Sequence, residues 1–145
     1  MAGNHADEKV IRGLIDGWYA ALRHGDAAGL AVAYADDVTV AGLAPPLWVH
    51  GKQEYIKGMA GWFSTFDGPL NGEPEKLSIV VGDSAAFANG FSHIVGKKKD
   101  GTAMELRTRL TLCFEKRGDQ WLLVAEHASV PFDMQSFKPL IGLKE

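Results

Sequence analysis

The chain has 145 residues, of which 46% are hydrophobic, and its formal net charge at pH 7 is −3. This length predicts one domain over residues 1–145, and the negative charge argues against a nucleic-acid surface. Cys113 is the single cysteine, which excludes an internal disulfide framework. The sequence shows neither a signal segment nor an apolar run that could cross a bilayer. We therefore expect a cytoplasmic protein with no membrane partner.

The first half of the chain predicts three helices and one strand. Asp7 to Arg23 carries apolar residues at the i, i+3, i+4, i+7 spacing of an amphipathic helix, and Asp26 is suited to cap a short second helix that runs to Tyr34. A strand follows over 38–41, and a third helix is predicted from Lys52 to about Thr65. The stripe on the first helix comprises Ile11, Leu14, Ile15, Trp18 and Leu22, widened by Val10 and Tyr19.

The second half predicts four strands joined by turns, over residues 75–81, 85–95, 106–114 and 121–130. Asp100-Gly101 is a hairpin turn signal between the second and third of these strands. Helices followed by consecutive strands indicate an α+β fold, in which a curved, mainly antiparallel sheet packs on three N-terminal helices. Such a sheet leaves a conical hollow that suits a small ligand. The apolar tail from Asp133 to Glu145 is predicted to cover an edge or the pocket mouth.

Alternation along the last two strands predicts which side chains face that hollow. Glu126 falls on the apolar face, where a carboxylate must be paired or must lie at a wet pocket wall. We interpret it as a candidate general base or acid, the alternative being a buried glutamate paired with His93, Tyr19 or a backbone donor. The inward set is Leu106, Thr108, Leu110, Leu112 and Phe114, with Leu122, Val124, Glu126, Ala128 and Val130, whereas Trp121 and Leu123 are expected outside.

The strand over 85–95 has one bulky face, which we expect to line the pocket. His93 there is a candidate proton shuttle, or else a half-solvated residue near the strand end, and Asn89 is a polar handle and candidate oxyanion donor. Three tryptophans from helix or loop segments are interpreted as a pocket wall, although aromatic residues at helical spacing are also common in plain cores. The predicted substrate-binding set is Trp18, Trp48, Trp62, Phe87, Asn89 and Phe91.

The opposite face of the last hairpin carries polar side chains that we interpret as a subunit interface. Arg109, Thr111, His127 and Ser129 belong to it, together with Arg107. A catalytic Ser-His group is the alternative, but Ser129 lies in no nucleophile elbow. No metal site is predicted, because the candidate ligands are scattered and no HExxH or CxxC spacing occurs.

Three stretches give the chain a resemblance to a known family. They are residues 18–38, which include Trp18-Tyr19-Ala20-Ala21-Leu22 and Gly25-Asp26; His50-Gly51; and Arg109-Leu110-Thr111 with Trp121 and residues 126–131. The chain resembles the nuclear transport factor 2-like superfamily in its SnoaL-like, ketosteroid-isomerase-like branch, which is similar to the association domain of calcium/calmodulin-dependent kinase II. The resemblance implies a cone-shaped barrel, a pocket between helices and sheet, and a homodimer through the outer sheet face.

The resemblance does not imply one function, because the family includes several kinds of enzyme and non-catalytic domains. Where steroid isomerases of this fold have a tyrosine donor and an aspartate base, this chain has Trp18 and Gly42, so the usual base is missing. One hypothesis is a cofactor-free isomerase, cyclase or lyase that moves a proton on a small apolar carbonyl compound, with Glu126 or His93 as acid or base and a tryptophan or Asn89 as donor. The alternative is a non-catalytic ligand-binding or dimerisation domain.

Overall fold

The computed structural model describes residues 2–145 and contains three helices and six strands. The helices are α1 (Ala2–His24), α2 (Ala27–Leu30) and α3 (Lys52–Phe63). The strands are β1 (Tyr34–Ala41), β2 (Val49–His50), β3 (Asn71–Val81), β4 (Ala85–Lys97), β5 (Ala103–Arg117) and β6 (Gln120–Ser129). The predicted α+β class is therefore confirmed, with β1 and β2 inserted between the second and third helices.

The six strands form one sheet in the order β2-β1-β6-β5-β4-β3. The β1–β6 pair is parallel and all other neighbouring pairs are antiparallel. The sheet is curved, and with the helices it makes a cone. The parallel pair links the first strand to the last, which brings residues separated by about 90 positions in the sequence to one end of the hollow.

Helix α1 packs one face on the concave side of the sheet. Its buried residues include Ile11, Ile15, Tyr19 and Leu22, as the apolar stripe predicts. Val10 instead is 48% exposed, because it lies at the margin of that stripe. Gly25 ends the helix region with a positive φ of 62°, and Asp26 caps α2 through a 2.9 Å hydrogen bond from the Gly29 amide.

A β-bulge in β6 decides which of its side chains face the core. Cys113 pairs with Ala125 and Phe114 pairs with Leu123, so Val124 is an extra residue opposite the β5 strand. Trp121 and Leu123 are consequently buried, and the prediction that they face outward is wrong. Beyond the bulge, Glu126 lies directly opposite the buried Leu112 and faces inward, as alternation predicts.

The C-terminal tail follows the edge of β5 beyond the end of β6. The Arg107 amide donates to the Ile141 carbonyl at 2.8 Å, and the Leu140 amide donates to the Pro131 carbonyl at 2.8 Å. The tail thus covers an edge, which is one of its two predicted roles. No helix in residues 2–145 combines the length and apolar character needed to span a membrane.

Candidate functional site

A cavity of about 570 Å³ lies between the helices and the concave face of the sheet. Helices α1 and α3, the 42–45 loop and the inner faces of the strands line it, mostly with apolar side chains. Apart from tyrosines, Glu54 and Glu126 are the ionisable residues in this lining, and no lysine, arginine or histidine belongs to it. The cavity therefore disfavours anionic ligands, because an anionic group would meet no counter-charge there.

Glu126 is the buried carboxylate of this cavity. Its partly exposed surface faces the cavity rather than bulk solvent, and burial raises the pKa of its carboxyl group above the ordinary range. The Tyr34 hydroxyl donates to Oε1 at 2.5 Å and offsets part of that shift, because the bond favours the ionised form. Oε1 is thus committed to Tyr34, and Oε2 is the oxygen available to a ligand.

Tyr34 belongs to a short hydrogen-bonded chain of aromatic side chains. The Trp18 Nε1–H donates to the Tyr55 hydroxyl at 3.0 Å. The hydroxyl oxygens of Tyr55 and Tyr34 are 3.3 Å apart, and their rings stack with centroids 4.6 Å apart. Burial raises the pKa of both phenols, with the Glu126 charge adding to the effect. Both tyrosines therefore stay protonated, and Tyr34 holds the carboxylate while the Tyr55 hydroxyl contacts Tyr34.

A second polar group lies on the wall formed by β4 and β5. Ser92 and Thr108 pair across these strands, both are buried, and both line the cavity. The Tyr19 hydroxyl donates to Ser92 Oγ at 2.8 Å. Burial raises the pKa of Tyr19 to about 12, so this phenol is also a donor at neutral pH.

The opposite, outer face of the sheet carries a polar network. The Asn89 amide donates to Thr111 Oγ1 at 2.9 Å, and Arg109 Nε donates to Ser129 Oγ at 3.1 Å. His127 lies opposite Thr111 in the β5–β6 register. The predicted interface residues therefore share one face, as the alternation of the strands predicts.

The SnoaL-like domain family matches residues 11–133 of this sequence. The chain belongs to the SnoaL-like domain family. A solved NTF2-like protein of unknown function from Pseudomonas putida KT2440 is 30% identical, with a TM-score of 0.87 over 97% of this chain and 98% of its own. No curated protein matches the sequence of this SnoaL-like chain.

Two more distant structures share the SnoaL-like chain's fold. A candidate scytalone dehydratase from Novosphingobium aromaticivorans is 17% identical, with a TM-score of 0.77 over 97% of this chain and 96% of that one. A candidate calcium/calmodulin-dependent protein kinase II association domain from Xanthomonas campestris is 22% identical, with a TM-score of 0.71 over 82% of this chain and 84% of that one. At these identities the likeness shows the fold alone.

The predicted pocket residues of β4 lie outside the cavity of this SnoaL-like domain. Phe87 is 46% exposed, Asn89 bonds Thr111 on the outer face, and neither Phe91 nor His93 lines the cavity. The inward face of β4 consists instead of small residues, such as Ala86, Ala88 and Ser92, and of Ile94. The prediction that the bulky face lines the pocket is wrong, and so is the expectation of Asn89 as a donor there.

His93 contacts two carboxylates on the outer face. Its Nε2 is 3.0 Å from Glu105 Oε1, and its Nδ1 is 3.4 Å from Glu75 Oε1. Its imidazole therefore cannot act on a ligand in the cavity. With Glu73 and Glu75 it forms a group whose potential ligand atoms lie within 4.8 Å of one another, but Glu75 is already held by Arg107 through both oxygens.

Two of the three tryptophans that were predicted to form a pocket wall line the cavity, and the third does not. Trp18 and Trp62 line the cavity. Trp48 is 54% exposed, stacks on His50 and does not line it, because the β2 segment runs along the sheet edge. The Trp18 N–H is committed to Tyr55, so it is not a free donor for a ligand oxygen.

Sequence reasoning missed the partner of Glu126. The predicted second helix ran through Tyr34, whereas α2 ends at Leu30 and Tyr34 opens β1. Placing Tyr34 beside Glu126 requires the parallel pairing of β1 with β6, which aligns Tyr34 with Leu123. A crossover pairing of this kind leaves no local pattern in the sequence. The Ser92–Thr108 pair was missed because the orientation of β4 was reversed.

Proposed function

We propose that this SnoaL-like protein is an enzyme that moves a proton on a small, neutral, largely apolar carbonyl compound. Glu126 is the general base and then the general acid. The observation that carries the proposal is the buried carboxylate of Glu126, with its raised pKa, facing an apolar cavity of about 570 Å³ whose other carboxylate, Glu54, is exposed. A desolvated carboxylate is a stronger base than a solvated one and works closer to neutral pH.

The proposed step uses side chains alone. Glu126 Oε2 takes a proton from the carbon next to the carbonyl, and the electron pair of the C–H bond passes into an enolate. The protonated Glu126 then returns this proton either to another carbon, which completes an isomerisation, or to a leaving hydroxyl, which departs as water. Tyr34 keeps Oε1 fixed throughout, so that Oε2 meets the substrate in one orientation.

A neutral apolar ketone tests the proposal directly. We expect the protein to catalyse deuterium incorporation at the α-carbon of β-tetralone in D₂O, followed by proton NMR. Glu126→Gln should reduce the catalysed rate by about 10²–10⁴-fold, because it removes the base. The matched control is Glu115→Gln, an exposed β5 glutamate bonded to Arg117, which should keep the wild-type rate.

Two outcomes would contradict the proposal. One is a Glu126→Gln variant that exchanges as fast as the wild-type protein. The other is a wild-type protein that binds β-tetralone without exchanging it faster than buffer, which would favour a non-catalytic ligand-binding domain.

We also propose that two copies of the chain associate through the outer sheet face. Val80 and Phe87 are cross-strand partners there and are 49% and 46% exposed, beside the Arg109–Ser129 and Asn89–Thr111 bonds. An apolar patch rimmed by polar side chains is typical of a protein interface. The occupant that fits both parts is a second copy of the same face.

Sedimentation velocity at micromolar concentration tests this association. The wild-type protein should sediment as a dimer, and Phe87→Asp or Arg109→Glu should shift it to a monomer. Val10→Asp is the control, since Val10 is 48% exposed on α1, which packs on the opposite, concave side of the sheet. A monomeric wild-type protein would refute the interface.

A further inference from the structure

We propose that Ser92 and Thr108 form a second oxygen-binding site in the cavity, remote from Glu126. The substrate then carries a hydroxyl or carbonyl oxygen at the end of its apolar body opposite the reacting group. This inference rests on the proposed function only for the end of the substrate that reacts at Glu126. The second site concerns ligand binding and does not require catalysis. It narrows the substrate class to neutral compounds with oxygen at both ends.

Thr108 presents a hydroxyl that the protein does not use. The residue is 5% exposed and lines the cavity. No hydrogen bond joins the Thr108 hydroxyl to another group within residues 2–145. Two side-chain atoms in that range are fully buried without a hydrogen-bond partner, Arg107 Nη1 and Trp121 Nε1. The Thr108 oxygen is not one of them, so it keeps some accessible surface. Because Thr108 occupies an inward, buried position of β5 and lines the cavity, its side chain lies on the cavity side of the sheet. A buried hydroxyl without a partner costs free energy, and a ligand oxygen would recover it.

Ser92 adds a second donor beside Thr108. Its Oγ accepts the Tyr19 proton at 2.8 Å, so its own hydroxyl proton is free for another acceptor. Donation from Tyr19 also polarises Ser92 and strengthens the bond it gives. Because Ser92 and Thr108 are directly opposed in the β4–β5 register, their side chains are close enough to reach one ligand atom.

The β-sheet register separates this pair from Glu126. Glu126 lies opposite Leu112, which is four residues from Thr108 along β5. At about 3.4 Å per residue this corresponds to roughly 14 Å between the two Cα positions. One oxygen atom cannot contact both sites, so a ligand that uses both needs an extended apolar body between two oxygens. The leucine at position 110 faces inward between them and suits such a body.

A rigid pair of probes separates the two ends. The probes are para,para′-biphenol, with a hydroxyl at each end, and para-phenylphenol, with one hydroxyl, titrated against tryptophan fluorescence. The wild-type protein should bind the diol more tightly. Thr108→Val should weaken the diol about three- to tenfold, the usual effect of one lost neutral hydrogen bond. Ser92→Ala should act in the same direction.

Two further variants guard against a structural explanation. Thr108→Ser retains the hydroxyl and should restore the preference for the diol. Thr111→Val removes a threonine hydroxyl from the outer face of the same strand and should leave both affinities unchanged. Thermal melting of each variant verifies that it is folded.

The proposal is overturned if Thr108→Val binds the diol as tightly as the wild-type protein, or if Thr111→Val loses as much affinity. It is also overturned if the wild-type protein does not prefer the diol. These readouts are independent of the β-tetralone experiment. If the diol preference is preserved and proton exchange is absent, the second oxygen-binding site stands and the proposed enzymatic activity is wrong. If exchange occurs and the preference is absent, the activity stands and the second site is wrong.

Discussion

Glu126 and Glu75 are the same residue type on opposite faces of one sheet, and their pKa values shift in opposite directions. The Arg107 guanidinium donates to both oxygens of Glu75, at 2.9 to 3.3 Å, and lowers the pKa of that carboxyl group. Glu126 has a phenol beside it and no cation, and burial raises its pKa. The outer carboxylate is held charged, while the inner one is ready to exchange a proton.

The difference favours Glu126, rather than Glu75, as the carboxylate with the proposed chemical role. Glu75 gains an ion pair and a solvated position, so its place needs no further explanation. Glu126 is desolvated without a counter-charge, which costs stability. Because Glu126 lowers stability and faces a cavity, a role in binding or catalysis explains its presence better than a role in folding.

The largest effect is expected when a carboxylate is introduced on the inner face of the sheet at a position that does not line the cavity. Ala88→Asp should lower the free energy of unfolding by about 3 kcal/mol or more, because Ala88 is fully buried on the inner face of β4. The neighbouring Asn89→Asp places the same group on the outer face and should cost only about 0.5–1.5 kcal/mol, the contribution of the hydrogen bond to Thr111 that it removes. Urea denaturation measures both. Equal losses would show that the two faces do not differ in this way.

The next effect concerns the stability cost of Glu126 itself. Because its folded-state pKa is raised, the folded protein holds a proton that the unfolded chain releases, and stability falls as pH rises from the ordinary carboxyl range to the raised value. Glu126→Gln should lack this loss, and the gain above that window is about 1.4 kcal/mol for each unit of pKa elevation. Melting temperatures across pH test it, and parallel curves for the two proteins would contradict it.

A smaller change should follow from removing the hydrogen bond that Tyr34 donates to this carboxylate. Tyr34→Phe deletes the donor that opposes the effect of burial, so the pKa of Glu126 should rise further. We expect the pH dependence of β-tetralone exchange to move to higher pH, with a stability loss of about 1 kcal/mol. Carboxyl-carbon NMR titration of Glu126 provides the direct reading. A pKa that falls in the variant would exclude Tyr34 as the partner of the ionised form.

The smallest effect is expected on the outer face. Glu75→Gln should cost less than about 1 kcal/mol at neutral pH, because its partner Arg107 forms a partly solvated pair with it. The pKa of Glu75 is lowered, so its contribution is present above the ordinary carboxyl pKa and is lost as pH falls through the depressed value. The variant and wild-type stabilities should thus converge in acid. A double-mutant cycle with Arg107→Met isolates the pair.

The helices and the inner face of β5 could be predicted because their patterns are local. The stripe on α1 and the inward Leu106, Leu110, Leu112 and Phe114 follow from apolar spacing alone. The inward position of Glu126 was also predictable, although the prediction did not include the bulge before it. What could not be predicted is Tyr34 beside Glu126, because this contact depends on a parallel pairing between distant strands.

The orientation of β4 was predicted from the bulk of its side chains, whereas in the structure it follows from the length of the turn after it. A two-residue loop at Asp100-Gly101 would pair Lys99 with Thr102 and turn the bulky face of β4 inward. The structure has a three-residue loop, in which the Lys98 amide donates to the Thr102 carbonyl and Gly101 adopts a φ of 90°. Lys97 therefore pairs with Ala103, and the small face of β4 meets the inward leucines of β5. A one-residue slip in register exchanges the two faces of a strand.

The extra residue at Val124 explains how Leu123 and Glu126 share one face, although residues three positions apart in a regular strand face opposite ways. Deleting Val124 would make Leu123 and Ala125 consecutive, opposite Phe114 and Cys113, and would restore regular alternation with Glu126 still facing the cavity. Relatives with the same fold can therefore lack the bulge and keep an inward glutamate, one position nearer in sequence to the buried tryptophan.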